Sequence, residues 1–315
     1  MEINLPISDF KQGMRVEGFY LLKDAAVKRA SNGRMYLSAS VMDSTGSVTM
    51  MMWDYSGSID EQDVGKVVKV RGDVSVYKNA NQITASRLRL ATEQDEVDLS
   101  RLVPVAPIDV DARYQEVLAL LATIEDPDYR SVAEEILRRH ADAFRRIPAA
   151  KSVHHSFLNG LLMHTSNMLK TADFFAALYP EVIDRSLLIA GTLLHDLAKV
   201  REFELSDIGM ATGYTIEGQL LGHLVMEAQE IASVCMELDL PEHKSVLLQH
   251  LILSHHGNPE FGAAVVPMTA EAELLALIDR VDSRMEIYAE VLPTLQPNSF
   301  SSRIFALEKK ILRHE

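Results

Sequence analysis

Leu193-Leu-His195-Asp196-Leu-Ala-Lys199 closes an apolar run that begins at Leu187. The run has helical spacing, so an adjacent His–Asp pair is carried at the inner end of a core helix. Burying an imidazole and a carboxylate there is costly unless something pairs with them. A divalent metal does so directly, because imidazole nitrogen suits transition metals and one carboxylate can bridge two ions.

The remaining ligands must then come from other helices. Nine of the 11 histidines lie between His154 and His256, a clustering that scatter along the chain does not favour. His164 follows Leu161-Leu-Met163, His223 follows Leu221-Gly222, His255-His256 follow Leu253-Ser254, and Asp279 follows Leu277-Ile278. Each is a polar group set into an apolar helical stripe, which implies one shared polar site inside a bundle. From about Asp109 onward the whole pattern is helical. Helices are expected over 218–238, 241–255 and 270–292, the last stopped by Pro293 and Pro297, and a further one over 302–312. His243 and His250 read as structural, His140 and His314 as surface.

Residues 14–91 have a different period. Met35, Leu37, Ala39 and Val41 alternate with Tyr36, Ser38 and Ser40, which is a half-buried strand with the first set inward. Asp43-Ser-Thr-Gly46 is a turn, and Ser47 to Trp53 completes a hairpin. Strands around Arg15–Lys23, Val67–Arg71 and Gln82–Leu90 bring the number to five, that of an OB-fold barrel, with room for a short helix between Ser56 and Asp63. Such barrels stack bases on aromatic side chains and track phosphates with basic ones. Tyr36 and Trp53 are the aromatic candidates; Lys69 and Arg71, with Arg87 and Arg89, are the basic ones. Met50-Met-Met52 packs either in the barrel or against a neighbour, which leaves a homo-oligomer open.

The bulk numbers set bounds. With 315 residues, 47% of them hydrophobic, the chain has material for two cores. Net charge is −14, but residues 1–92 carry 12 Lys/Arg against 10 Asp/Glu and the remainder 19 against 35. The first part therefore does not repel phosphate, although charge alone will not bind it tightly. Cys235 is the one cysteine, which excludes an internal disulfide and a Cys-based zinc site. No signal peptide and no bilayer-spanning run is read, so no membrane partner is expected and a cytoplasmic location is. Thr92 to Ile108 is acidic, then broken by Pro104 and Pro107. The expected organisation is an OB-fold domain at 1–92, a linker at 93–108 and an all-α helical bundle at 109–315.

The order His164, His195-Asp196, Asp279 resembles the signature of the HD phosphohydrolase superfamily. The resemblance implies that these four residues hold one divalent ion. It further implies that His223 and His255 complete a second site, with Asp196 bridging. His256 would be a ligand or contact phosphate, and Lys199 would hold a scissile phosphate or orient the attacking water. Asp196, Lys199 and His256 are thus the catalytic candidates. The whole arrangement resembles the YhaM family of bacterial 3′→5′ exoribonucleases. The most specific stretches are Ala149-Ala-Lys-Ser-Val-His-His155, Gly160-Leu-Leu-Met-His-Thr165, Leu194–Lys199 and Ser254-His-His-Gly257. That resemblance implies two ions of manganese (with cobalt, iron(II) or magnesium as alternatives), single-stranded RNA or DNA as substrate, and release of nucleoside monophosphates. His155 is added as a nucleic-acid contact at the substrate entrance. The alternative is a phosphohydrolase of small nucleotides or cyclic dinucleotides that uses the barrel for regulation or assembly. No Walker-type glycine loop is present, which argues against an ATPase.

Overall fold

The structure, a computed structural model, describes residues 2–31, 33–77, 80–150, 157–206 and 208–315. His154 and His155 lie outside the described residues. The chain divides into two compact units, Met1–Val105 with Leu205–Met210, and Ala106–Glu204 with Ala211–Glu315.

The first unit is built on a short strand β1 (Glu2–Ile3) and five longer ones, β2 (Arg15–Arg29), β3 (Met35–Asp43), β4 (Gly46–Trp53), β5 (Val67–Tyr77) and β6 (Ala80–Leu90). They run in the order β1-β2-β3-β4-β6-β5, and β5 pairs back to β2, which closes the barrel. Only β4–β6 and the small β1–β2 contact are parallel. A closed five-stranded sheet with this connectivity is an OB-fold. One strand makes closure possible. β2 pairs with β5 over Arg15–Leu21 and with β3 over Leu21–Arg29, with a register break between Leu22 and Asp24 where it bends. The core is the expected alternation: Leu37, Ala39, Val41, Val48 and Met50 are buried, with Val16, Leu22, Val68, Val70 and Ile83 facing them.

Three expectations need correction here. Met35 is exposed, because the alternation runs out at the strand end and nothing covers its side chain. The Ser56–Asp63 helix is only a single 3-10 turn, Glu61–Asp63, closed by reciprocal capping between Asp60 and Asp63. The acidic stretch after residue 92 is not bare linker. A 3-10 turn at Leu99–Arg101 leads into Leu102 and Val103, both buried.

The second unit carries α1 (Val110–Leu121), α2 (Pro127–Arg146), α3 (Gly160–Leu178), α4 (Arg185–Leu194), α5 (Lys199–Glu202), a hairpin of β7 (Phe203–Leu205) and β8 (Ala211–Tyr214), α6 (Ile216–Glu237), α7 (Glu242–Ser254) and α8 (Ala270–Val291). Five of the helix starts are capped by a side chain. Asp109, Asp126, Asp184, Thr215 and Thr269 cap α1, α2, α4, α6 and α8 through side-chain oxygens. α4 is buried from Ser186 to Leu194, so it is the central helix and its apolar composition all round is required. No helix among the described residues is long and apolar enough to cross a membrane.

The expected helix over 302–312 is overturned. This segment forms a 3-10 turn at Phe305–Leu307 and a strand β10 (Leu312–Arg313) paired with β9 (Ser299–Phe300). Its apolar residues do recur at helical spacing, but Ile304, Leu307 and Ile311 reach their cluster with Ile287 through a loop. That loop is closed by an Ile304–Lys309 bridge and turned at Glu308, whose φ is +56°. His140 is also not a surface residue: its Nε2 lies 2.9 Å from Glu230 Oε1 with only 16% of the side chain exposed.

Candidate metal centre

Five helices bring their polar residues to one point. His195 and Asp196 follow α4, His164 comes from α3, His255 and His256 end α7, Asp279 lies in α8, and His223 lies in α6. His223 is aimed by a break in its own helix. Gly222 has φ +71° and ψ 160°, which a side chain would resist, and the chain turns there so that the His223 N–H and Nδ1 both reach Glu202 Oε1, at 3.0 and 3.1 Å.

The outer ring nitrogens are committed, which decides where the inner ones point. His195 Nδ1 donates to the Thr192 carbonyl at 2.7 Å, and His255 Nδ1 donates to that of Ile252 at 2.8 Å. His164 Nδ1 donates to Asp282 Oδ2 at 2.7 Å. An imidazole whose Nδ1 donates offers Nε2 as a ligand atom, the arrangement that orients metal-bound histidines.

The Nε2 atoms then converge on Asp196. Those of His164 and His195 are 3.2 Å apart, and Asp196 Oδ2 lies 3.7 and 3.3 Å from them. Asp279 Oδ1 is 3.4 Å from His164 Nε2. On the other side, Asp196 Oδ1 is 3.3 Å from His223 Nε2 and 3.7 Å from His255 Nε2. Asp196 Oδ1, His223 Nε2, His255 Nε2 and His256 Nδ1 are buried and without hydrogen-bond partners. Such orphaned atoms are costly unless an ion satisfies them. Donors bound to a metal at about 2.1 Å sit roughly 3.0–3.4 Å from one another, so the spacings fit. Two triplets of potential ligands, His164–His195–Asp196 and His223–His255–His256, each have their donor atoms within 4.8 Å.

The electrostatics favour cations at the same points. Burial opposes a charge on His164, but Asp279 and Asp282 outweigh it and push its pKa up to about 10, so the pocket selects positive charge at Nε2. Burial would raise the Asp196 carboxyl; Lys199, His195 and His223 hold it well below the usual carboxylate range. Lys199 Nζ sits 2.7 Å from Asp196 Oδ2 and is held protonated by it against burial. Burial and the neighbouring His256 keep His255 neutral, and burial with His223 lowers His256. His255 and His256 as neutral imidazoles and Asp196 as a carboxylate are already in ligating forms, and an ion at His164 Nε2 would take the place of its proton.

Sequence reading missed Glu202, which fixes His223; no periodicity marks it. It also missed Glu227, one turn after His223, whose buried carboxyl is pushed well up by burial and Glu230 and is therefore neutral. Of the nucleic-acid candidates, Tyr36 and Trp53 are cross-strand partners with ring centroids 5.1 Å apart, and Trp53 is 55% exposed. Lys69 and Arg71 lie 3.3 and 3.8 Å from the Glu17 carboxylate, which offsets part of their charge. With Arg87 and Arg89 they line a groove of ≈ 480 Å³. His155 lies outside the described residues.

Residues 161–284 match the family model described as the HD domain. This segment of the helical unit is thus an HD domain, and an OB-type barrel precedes it in the chain. Among solved structures, the chain is similar to the second OB-fold domain of replication protein A from Methanococcus maripaludis, at 13% identity over 31% of this chain and 100% of that one, with a TM-score of 0.22. It is also similar to the HD domain of the L. monocytogenes phosphodiesterase PgpH, at 15% identity over 49% of this chain and 73% of that one, with a TM-score of 0.30.

Proposed function

We propose that this chain is a metal-dependent phosphodiesterase that removes nucleoside monophosphates from the 3′ end of single-stranded RNA, and of single-stranded DNA. The observation that carries the chemistry is the position of Asp196, whose two oxygens face two separate sets of imidazole donors. His164, His195, Asp196 and Asp279 would hold one ion; His223 and His255 would hold the second, with Asp196 shared. Two divalent ions, manganese in this reading, would supply an acidified water and neutralise phosphate charge.

The chain's own residues do the rest. Lys199, pinned to Asp196 Oδ2, keeps that carboxylate ionised and presents an ammonium at the edge of the site. Asp282 and Glu202 hold His164 and His223 in their ligating tautomers. His256 Nδ1, buried and without a partner, would accept a hydrogen bond from the attacking water. The half-buried Tyr36 against the exposed Trp53, with the basic groove of the barrel, supports a single-strand-binding role, since stacking on aromatics tolerates any base. The 3′→5′ direction and the manganese preference rest on the resemblance to the YhaM family.

The test is a 5′-labelled single-stranded RNA incubated with chelator-stripped protein and added manganese, with Asp196→Ala alongside. A ladder shortening from the 3′ end with wild type alone is the expected result. Intact RNA together with turnover of small nucleotides would assign the chain to small-nucleotide hydrolysis instead.

A further inference from the structure

A cavity of ≈ 430 Å³ opens beside the histidine cluster. It is lined by His255, His256 and Asp279 together with Phe261, Arg280 and Arg284. The volume is at the lower end for small-molecule sites, which suits one nucleotide rather than several.

Phe261 is large, apolar and 61% exposed, with its ring open to the cavity. The turn that presents it is fixed to the histidines. Pro259–Phe261 is a 3-10 turn ended by Gly262 at φ +101°, and a Cβ at Gly262 would come within 3.3 Å of His256 Nδ1. The aromatic ring is therefore one residue from a chain segment packed on His256. Arg280 places its guanidinium 5.9 Å from the centre of that ring. Arg284 stands one turn further along α8.

Among the described residues neither arginine is paired with a carboxylate, unlike several others in the unit. Arg138, Arg139, Arg145, Arg185 and Arg201 are each paired with a carboxylate. Among the described residues no carboxylate lies within ion-pair distance of Arg280 or Arg284, although residues 93–315 carry 35 acidic side chains against 19 basic ones. Two unneutralised guanidiniums beside an exposed aromatic ring call for an anion attached to a flat ring.

We infer that this cavity is a subsite for a single nucleoside monophosphate unit, with the base stacked on Phe261 and the phosphate charge met by Arg280 and Arg284. The nuclease reading is needed only to name that unit as the terminal nucleotide of a strand; the pocket stands without it.

Calorimetric titration of AMP, and separately of inorganic phosphate, into the full chain tests this, in manganese and after chelation. Base–aromatic stacking is worth about 1–3 kcal/mol, so Phe261→Ala should weaken AMP binding about 5- to 150-fold and leave phosphate binding unchanged. Phe261→Tyr should restore AMP binding, and Arg284→Gln should weaken both ligands. Equal AMP affinity in wild type and Phe261→Ala, or no AMP binding at all, overturns the subsite. A change of oligomeric state in Phe261→Ala at unaltered AMP affinity also overturns it and makes this rim a protein interface. RNA cleavage is scored separately. AMP binding through Phe261 with no RNA cleavage leaves the subsite standing and removes the nuclease; cleavage without AMP binding does the reverse.

Discussion

Asp196 Oδ1 lies 3.3 Å from His223 Nε2, and both atoms are buried with no hydrogen-bond partner. Two acceptors left facing one another in a core are unfavourable by themselves. The pair persists because each residue is held from behind, Asp196 by Lys199 and His223 by Glu202.

Glu202→Gln keeps the shape but removes the charge that fixes the His223 tautomer. Loss of such an outer partner typically costs 10–100-fold in metal affinity. Manganese titration should show the weaker of two binding events shifted by about that factor, with the tighter one unmoved. Equal effects on both events would mean that Glu202 does not act through His223.

Trp53→Ala tests the barrel. Losing one stacking platform should raise the Kd for a single-stranded oligonucleotide about 5- to 150-fold, from roughly 1–3 kcal/mol per base. Hydrolysis of a small phosphodiester should not change. Fluorescence anisotropy with a labelled oligonucleotide measures the first and a chromogenic diester the second.

Stability should depend on pH through a site far from the metal centre. Lys244 Nζ lies 2.6 Å from both Asp126 Oδ2 and Asp128 Oδ2, tying α7 to the start of α2. Burial raises the Asp126 carboxyl, but Lys244 and the backbone N–H groups of Tyr129 and Asp128 outweigh it and leave the pKa depressed. A pKa lower in the folded than in the unfolded chain contributes stability above the unfolded value, about 3.9, and loses it as pH falls through the folded one. Lys244→Met should therefore cost about 1–2 kcal/mol at pH 7 in urea unfolding. The gap to wild type should close below about pH 4, the unfolded carboxylate range. A gap that widens in acid would reverse the assignment.

Much of this was readable in the residues. The alternation from Leu37 to Val41 and the apolar run into His195-Asp196 carry their own period, and burial follows period directly. What was hidden depends on contacts distant in the chain. β2 continues through the polar Asp24, Lys28 and Arg29 because β3 lies beside it, not because those residues favour a strand. Ile304, Leu307 and Ile311 mimic a helix while packing from a loop. Glu202 and Gly222 matter only once the α6 break brings His223 back to the α5 terminus.

If Asp196 is shared between two ion sites, its loss must empty both. Metal analysis of manganese-saturated, desalted protein tests it most directly. Wild type should hold two ions per chain, His223→Ala one, and Asp196→Ala neither in stoichiometric amount. One ion in wild type, or two ions retained by Asp196→Ala, would mean that Asp196 is not shared.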